Sequence, residues 1–180
     1  MGKTADNQDH IDVAILGNAV YLKPYGYATQ RNCLGIPDFL DAMFGAGCQY
    51  AVFDLAECRG MDSTFLGVIA DAAATSPRRQ GKSVVVLNAG DRARRQLQRV
   101  GLIPLLCLRE EEVELSDDVE LCQMGYVPFP EDRESRLKKI RELHEQLVRL
   151  NEGNKKLFGQ FLEMLDEELE QAADNDDDNG

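Results

Sequence analysis

The 180-residue sequence has no tryptophan, only two histidines and five cysteines. Cys33, Cys48, Cys58, Cys107 and Cys122 form no C-x-x-C pair, and His10 and His144 add no ligand spacing, so no metal site is expected. Unpaired thiols of this kind suit a reducing compartment, with Cys58 the one to watch for reactivity. No run of about 18 apolar residues occurs, which excludes a spanning helix. The opening MGKTADNQDH lacks the apolar core of a signal peptide, and Asp6 stands where a myristoylation signal needs Ser or Thr. The expected location is the cytoplasm. There is no Ser-x-x-Lys, nucleophile elbow or phosphate loop, and neither histidine falls in a strand-end loop, so neither enzyme chemistry nor a cofactor is expected.

Charge is abundant but unevenly placed. The net charge is −12. Met1–Arg109 carries 12 basic and 10 acidic side chains, a net of +2, whereas Glu110–Gly180 carries 8 and 22, a net of −14. An acidic chain is repelled by a phosphate backbone, so nucleic acid is not expected as a partner. Against that background Arg92, Arg94, Arg95 and Arg99, with Arg78 and Arg79, read either as a solvated helix face or as a basic dock for an acidic partner or the chain's own tail.

The centre of the sequence is Gln49–Ala74. Tyr50–Leu55 is a short apolar run of strand type, and Leu66, Ile69, Ala70 and Ala73 have the spacing of one helix face. Between them Asp62-Ser63-Thr64 places three short polar side chains at a helix start, where one would cap the first turn. Capping is the ordinary role of such residues; a hydroxyl delivered to the positive end of a helix is also a good place for a phosphate. Asp54, at the strand end, either bonds its own loop or faces a partner.

Around this centre the chain reads as β-β-α-β-α-β-α-β. Residues 1–10 are a flexible terminus. Ile11–Leu16 and Ala19–Leu22, joined at Gly17-Asn18, predict a hairpin that stops at Pro24, with a loop over Tyr25–Tyr27. Thr29–Phe44 is helical, either from Pro37 onward or as two short helices. Ser83–Leu87 is a β-branched strand, Asp91–Val100 a helix capped by Asp91, and Ile103–Leu108 a last strand. This gives an α/β domain over 11–109, a mixed sheet of four to five strands with packed helices. An acidic connector follows over 110–130, holding Val113, Leu115, Val119, Leu121 and the Tyr126–Pro130 stretch. A long C-terminal helical extension over 131–173 and a disordered acidic tail over 174–180 complete the chain.

In the extension Ile140, Leu143, Leu147, Leu150, Asn154, Leu157, Phe161 and Met164 recur at alternating steps of three and four. That is a coiled-coil seam with Asn at one core site. Gly153 and Gly159 weaken it, and Phe158, Leu162, Leu165 and Leu169 broaden the stripe. A homodimer through this helix and packing on the chain's own domain or on a partner remain equal alternatives.

The element order, the strand ending in Asp54-Leu55, the following Met61-Asp62-Ser63-Thr64-Phe65-Leu66-Gly67, and Val84–Asn88 leading to Arg92, Leu97 and Val100-Gly101-Leu102 together resemble the STAS family. This is the fold of bacterial anti-sigma factor antagonists and of transporter cytoplasmic domains. The resemblance covers Ile11–Leu108 and says nothing of Glu110–Gly180. It implies a phosphoacceptor at Ser63, with Thr64 the second choice, and a partner-facing surface of Asp62, Ser63, Thr64, Phe65 and Asp54. The implied partners are a serine kinase of the histidine-kinase-like ATPase fold that doubles as an anti-sigma factor, and a phosphatase that resets the switch. Phe65 departs from the glycine usual there, and would either reshape that surface or fill the core. Two alternatives stay beside the switch: a scaffold that oligomerises through the Leu143, Leu147, Leu150, Leu157 and Phe161 helix, and a subunit handling a small ligand or lipid.

Overall fold

The computed structural model describes residues 9–76, 83–113, 119, 121–123 and 132–177. Residues 1–8, the Arg78-Arg79 pair, the Tyr126–Pro130 stretch and residues 178–180 lie outside them.

Strand β1 (His10–Leu16) turns at Gly17, φ +60°, into β2 (Ala19–Ala28), and the two pair antiparallel from His10↔Tyr25 to Leu16↔Ala19. Pro24 and the 25–27 loop expected to end β2 are inside it. A proline lacks only the amide donor and keeps an extended φ, and Gly26, at φ +73°, absorbs the bulge where the register shifts. Helix α1 (Ile36–Gly45) takes Pro37 in its first turn, where its missing N–H costs no bond. Parallel strands β3 (Tyr50–Asp54), β5 (Val84–Leu87) and β6 (Cys107–Arg109) extend the sheet from β2, with helices α2 (Ser63–Thr75) and α3 (Asp91–Arg99) between them. Asp91 is the first residue of α3 and Gly90 precedes it, with no side-chain cap. A 3-10 turn at Ile103–Leu105 replaces the first half of the expected last strand, because Pro104 cannot donate to a ladder.

Two strands escape the sequence pattern. Strand β4 (Cys58–Met61) runs parallel to the end of β2, pairing Gly26↔Cys58 and Ala28↔Met61, and β7 (Cys122–Gln123) pairs antiparallel with β1. The sheet order is β6-β5-β3-β2-β1-β7, with β4 on β2. Among the described residues the fold is thus a mixed α/β arrangement with an N-terminal hairpin, of seven strands rather than four or five. Val20, Leu22, Phe53, Val86, Phe65 and Ile69 lie in its core and are fully buried.

The long C-terminal helix is two helices. Helix α4 (Arg133–Leu150) starts at Asp132, whose carboxylate accepts the Ser135 amide at 2.7 Å. It ends at Asn151, extended at φ −164° and ψ 158°, whose side-chain oxygen accepts the Asn154 amide at 3.0 Å and starts α5 (Glu152–Asp177). The continuous seam is therefore broken, and the pair folds back as a hairpin on its own domain. Ile140, Leu143 and Leu147 are buried, Leu150 and Phe161 half-buried, and Leu157 and Met164 are 42% and 45% exposed. Asn154 is no register polar residue: its side-chain amide donates to the carbonyls of Val100 at 2.8 Å and Leu147 at 2.7 Å. Helix α5 also runs past the expected end at Ala173, since an established helix adds residues at little cost. Among the described residues no helix is long and apolar enough to cross a membrane.

Candidate functional site

Strand β4 delivers the chain to the start of α2. The Asp62 amide donates to the Ala28 carbonyl at 3.1 Å, continuing the strand pairing for one residue. The Asp62 carboxylate then divides its two oxygens. One accepts the Phe65 amide at 2.9 Å and caps α2; the other accepts the Gln30 amide at 2.9 Å and ties down the turn after β2. Asp62 is thus the cap, which leaves Ser63 as the first helical residue with its hydroxyl free for another partner.

That partner comes from 81 residues away. His144 Nε2 lies 2.8 Å from Ser63 Oγ, and His144 Nδ1 lies 2.8 Å from the Ile140 carbonyl oxygen. A carbonyl can only accept, so Nδ1 carries the ring proton. Burial pushes the imidazole below its ordinary pKa of 6.5, against the smaller pull of the Ile140 carbonyl and the Asp62 charge. The ring is therefore neutral near pH 7, its Nε2 is a bare acceptor, and the Ser63 hydroxyl donates to it. His144 is fully buried, flanked by the rings of Phe158 at 5.5 Å and Phe161 at 4.6 Å. A hydroxyl held against a neutral imidazole has a proton acceptor in place for attack on an electrophile.

The approach of α4 depends on Gly67. A Cβ at that position would sit 2.6 Å from the Leu143 carbonyl oxygen and 2.8 Å from Leu143 Cβ. The two helices thus meet at backbone distance. Around this contact Gln146 donates to Asp71 at 3.1 Å and Lys139 to Asp38 at 2.8 Å, fastening α4 to α2 and α1. Asp71 has its pKa raised, chiefly by burial and then by nearby Asp41.

No family model matches the chain, and no curated protein matches it by sequence. Among solved structures it is similar to the anti-sigma factor antagonist SpoIIAA in its unphosphorylated form, at 13% identity and a TM-score of 0.48, over 57% of this chain and 89% of that one. A candidate anti-sigma factor antagonist from Thermotoga maritima matches at 17% and 0.49, over 56% and 86%. The phosphorylated form of the Bacillus cell fate determinant SpoIIAA matches at 16% and 0.47, over 56% and 92%. With TM-scores below 0.5, these likenesses carry no argument about this chain.

The residues expected to face a partner separate sharply. Asp62 and Ser63 are half-buried, but Thr64 and Asp54 are each 3% exposed and Phe65 is fully buried. Phe65 stands edge-on to Phe53 at 5.9 Å, so it fills the core rather than reshaping the surface. Thr64 is thus buried beside the half-buried Ser63, so the two hydroxyls differ in access. Asp54 bonds internally: it accepts from the Tyr21 hydroxyl at 2.6 Å, the Ala56 amide at 3.1 Å and the Asn88 side chain at 3.0 Å. Its carboxylate raises the pKa of Tyr21, second to burial itself. Arg92, Arg95 and Arg99 are exposed on α3, whereas Arg94 is turned to the Ala89 carbonyl and Glu110. The Cys58 thiol is raised in pKa by burial and bonds the Gly60 carbonyl, which argues against reactivity.

His144 is the residue that sequence reasoning missed. The signal available was its place between Leu143 and Leu147 on the inner stripe of the extension, one step off the seam. Nothing local connected it to Ser63.

Proposed function

We propose that this chain is a cytoplasmic regulatory protein that works by binding a protein partner, with Ser63 as its phosphoacceptor. The observation that carries the reading is that Asp62, not Ser63, caps α2, leaving a hydroxyl at the helix start already hydrogen-bonded to a proton acceptor. A phosphate there would add about −1.5 to −2 charges at the positive end of a helix, stabilised by roughly 0.3–2 kcal/mol. The STAS-like motif supplies the partner class: a serine kinase of the histidine-kinase-like fold that also restrains a sigma factor, with a phosphatase to reset it. The partner-facing set narrows to Asp62 and Ser63, with the exposed arginines of α3 as a separate basic dock. Mass spectrometry of the chain recovered from its own cells tests this. Phosphate on Ser63, absent from Ser63→Ala, is the expected result; a chain modified elsewhere, or never, overturns the reading.

A second reading rests on α5. Leu157 and Met164 are exposed seven residues apart on one helix face, the spacing of a self-association stripe. In this reading the chain is an assembly subunit and Ser63 a structural residue. Light scattering of Leu157→Asp decides it: a smaller particle supports assembly through α5, and an unchanged mass removes it.

A further inference from the structure

We propose that the α4–α5 hairpin is a hinged cover over the start of α2, latched by the Ser63–His144 hydrogen bond and released when Ser63 carries a phosphate. The inference takes its trigger from the phosphoacceptor reading, but the latch can be examined without any kinase.

The geometry of the bond makes it selective. Nε2 of the neutral ring offers a lone pair, so its partner must donate. A phosphate ester at Ser63 removes the only proton on that oxygen, and its new oxygens can pair with Nε2 only where the ring takes up a proton, which its burial against Phe158 and Phe161 opposes. The groups around His144 give it no relief. From α2 comes the Asp62 carboxylate, from α4 the Ile140 carbonyl, and from α5 the rings of Phe158 and Phe161. None is a cation. The near cations of α4 are engaged: Lys139 with Asp38, and Arg141 with Glu145 and Asp166. The start of α2 stabilises a phosphate that reaches solvent, whereas one held beneath α4 loses its hydration against the imidazole and two aromatic rings.

The cover also has a fixed end. At the bend Asn151 and Asn154 both donate to the Val100 carbonyl, at 3.1 and 2.8 Å, about two helical turns beyond His144. Opening is then a swing of α4 about that fastening, separating Leu143 from Gly67 and taking Ile140 and Leu147 out of the core. What it uncovers is the α2 face around Gly67, a surface already shaped for an amphipathic helix at backbone distance. A partner helix would compete with α4 for it.

Hydrogen exchange on the full chain tests this, with phosphoserine encoded genetically at position 63. The expected result is exchange at least about tenfold faster in 133–150 and 63–75 while β3 and β5 keep their protection. Ser63→Thr, which keeps a hydroxyl, stays protected. Gly67→Ala, which presses on Leu143 without touching the hydroxyl, opens the same two segments. Unchanged protection of α4 with phosphoserine overturns the latch, and so does equal loss throughout the sheet. A released hairpin in a chain that is never phosphorylated in its own cells would keep the latch and sink the phosphoacceptor reading; native phosphate with α4 still protected would do the reverse.

Discussion

The segments Asp62–Gly67 and Ile140–Leu147 face each other across one contact, yet they are held by different means. The first is fixed by neighbours: a strand pairing before it, a carboxylate spanning the helix start and the turn after β2, and Phe65 in the core. The second has no local anchor. It stays because Ile140, Leu143 and Leu147 are buried at helical spacing, because Gly67 has no side chain, and because His144 and Gln146 bond Ser63 and Asp71 on α2. The position of the Ser63 hydroxyl is thus set by its own surroundings, whereas access to it is set by a helix more than seventy residues away.

The largest effect on this contrast should come from Gly67→Val. The added carbons collide with the Leu143 backbone, so a loss of about 3 kcal/mol or more is expected in denaturant unfolding. If the hairpin moves aside freely, the loss will be much smaller and confined to exchange in α4. Next is Leu147→Ala, which empties a fully buried position on α4 and should cost about 2–5 kcal/mol. A cost near zero would mean that α4 adds nothing to the fold. Asp62→Ala tests the local side: loss of the cap should cost about 0.5–2 kcal/mol while α4 keeps its protection, because the cap and the hairpin are separate supports.

The smallest effect is with pH. The folded-state pKa of His144 is lowered from 6.5, so the unfolded chain binds the proton more readily than the folded one. Its contribution is fully present above pH 6.5 and is lost as pH falls from there toward the depressed folded value. The imidazole resonances should titrate below 6.5, and His144→Phe should flatten stability across that window. A titration well above neutral pH would place a charged ring beside Ser63 and reverse the direction of the hydrogen bond.

Much of the central domain is legible without coordinates. The alternation of β1, the β-branched run of β5 and the helix face of α2 are local patterns, and local patterns survive in sequence. Strand β4 is not, because Cys58-Arg59-Gly60-Met61 has neither alternation nor β-branched residues; it is a strand only because the end of β2 offers unpaired backbone beside it. Asp54 shows the same limit. A carboxylate at a strand end can face either way, and Tyr21 and Asn88, distant in sequence, turn it inward. The extension was legible as helix but not as a hairpin, since the apolar steps of three and four continue in register across Asn151. The Asn151 side chain that caps α5, with Gly153 just after it, is the local mark of the break.

By itself the sequence determined the alternation of strands and helices, the polar start of α2 and the segregation of acidic charge into the last third. These depend on neighbours in the chain. Tertiary structure decided that Asp62 is the cap, that the Ser63 hydroxyl bonds His144, and that Phe65 belongs to the core. Those outcomes depend on which surfaces meet, and the pairing of Gly67 with Leu143 is a matter of shape that no spacing of residues encodes.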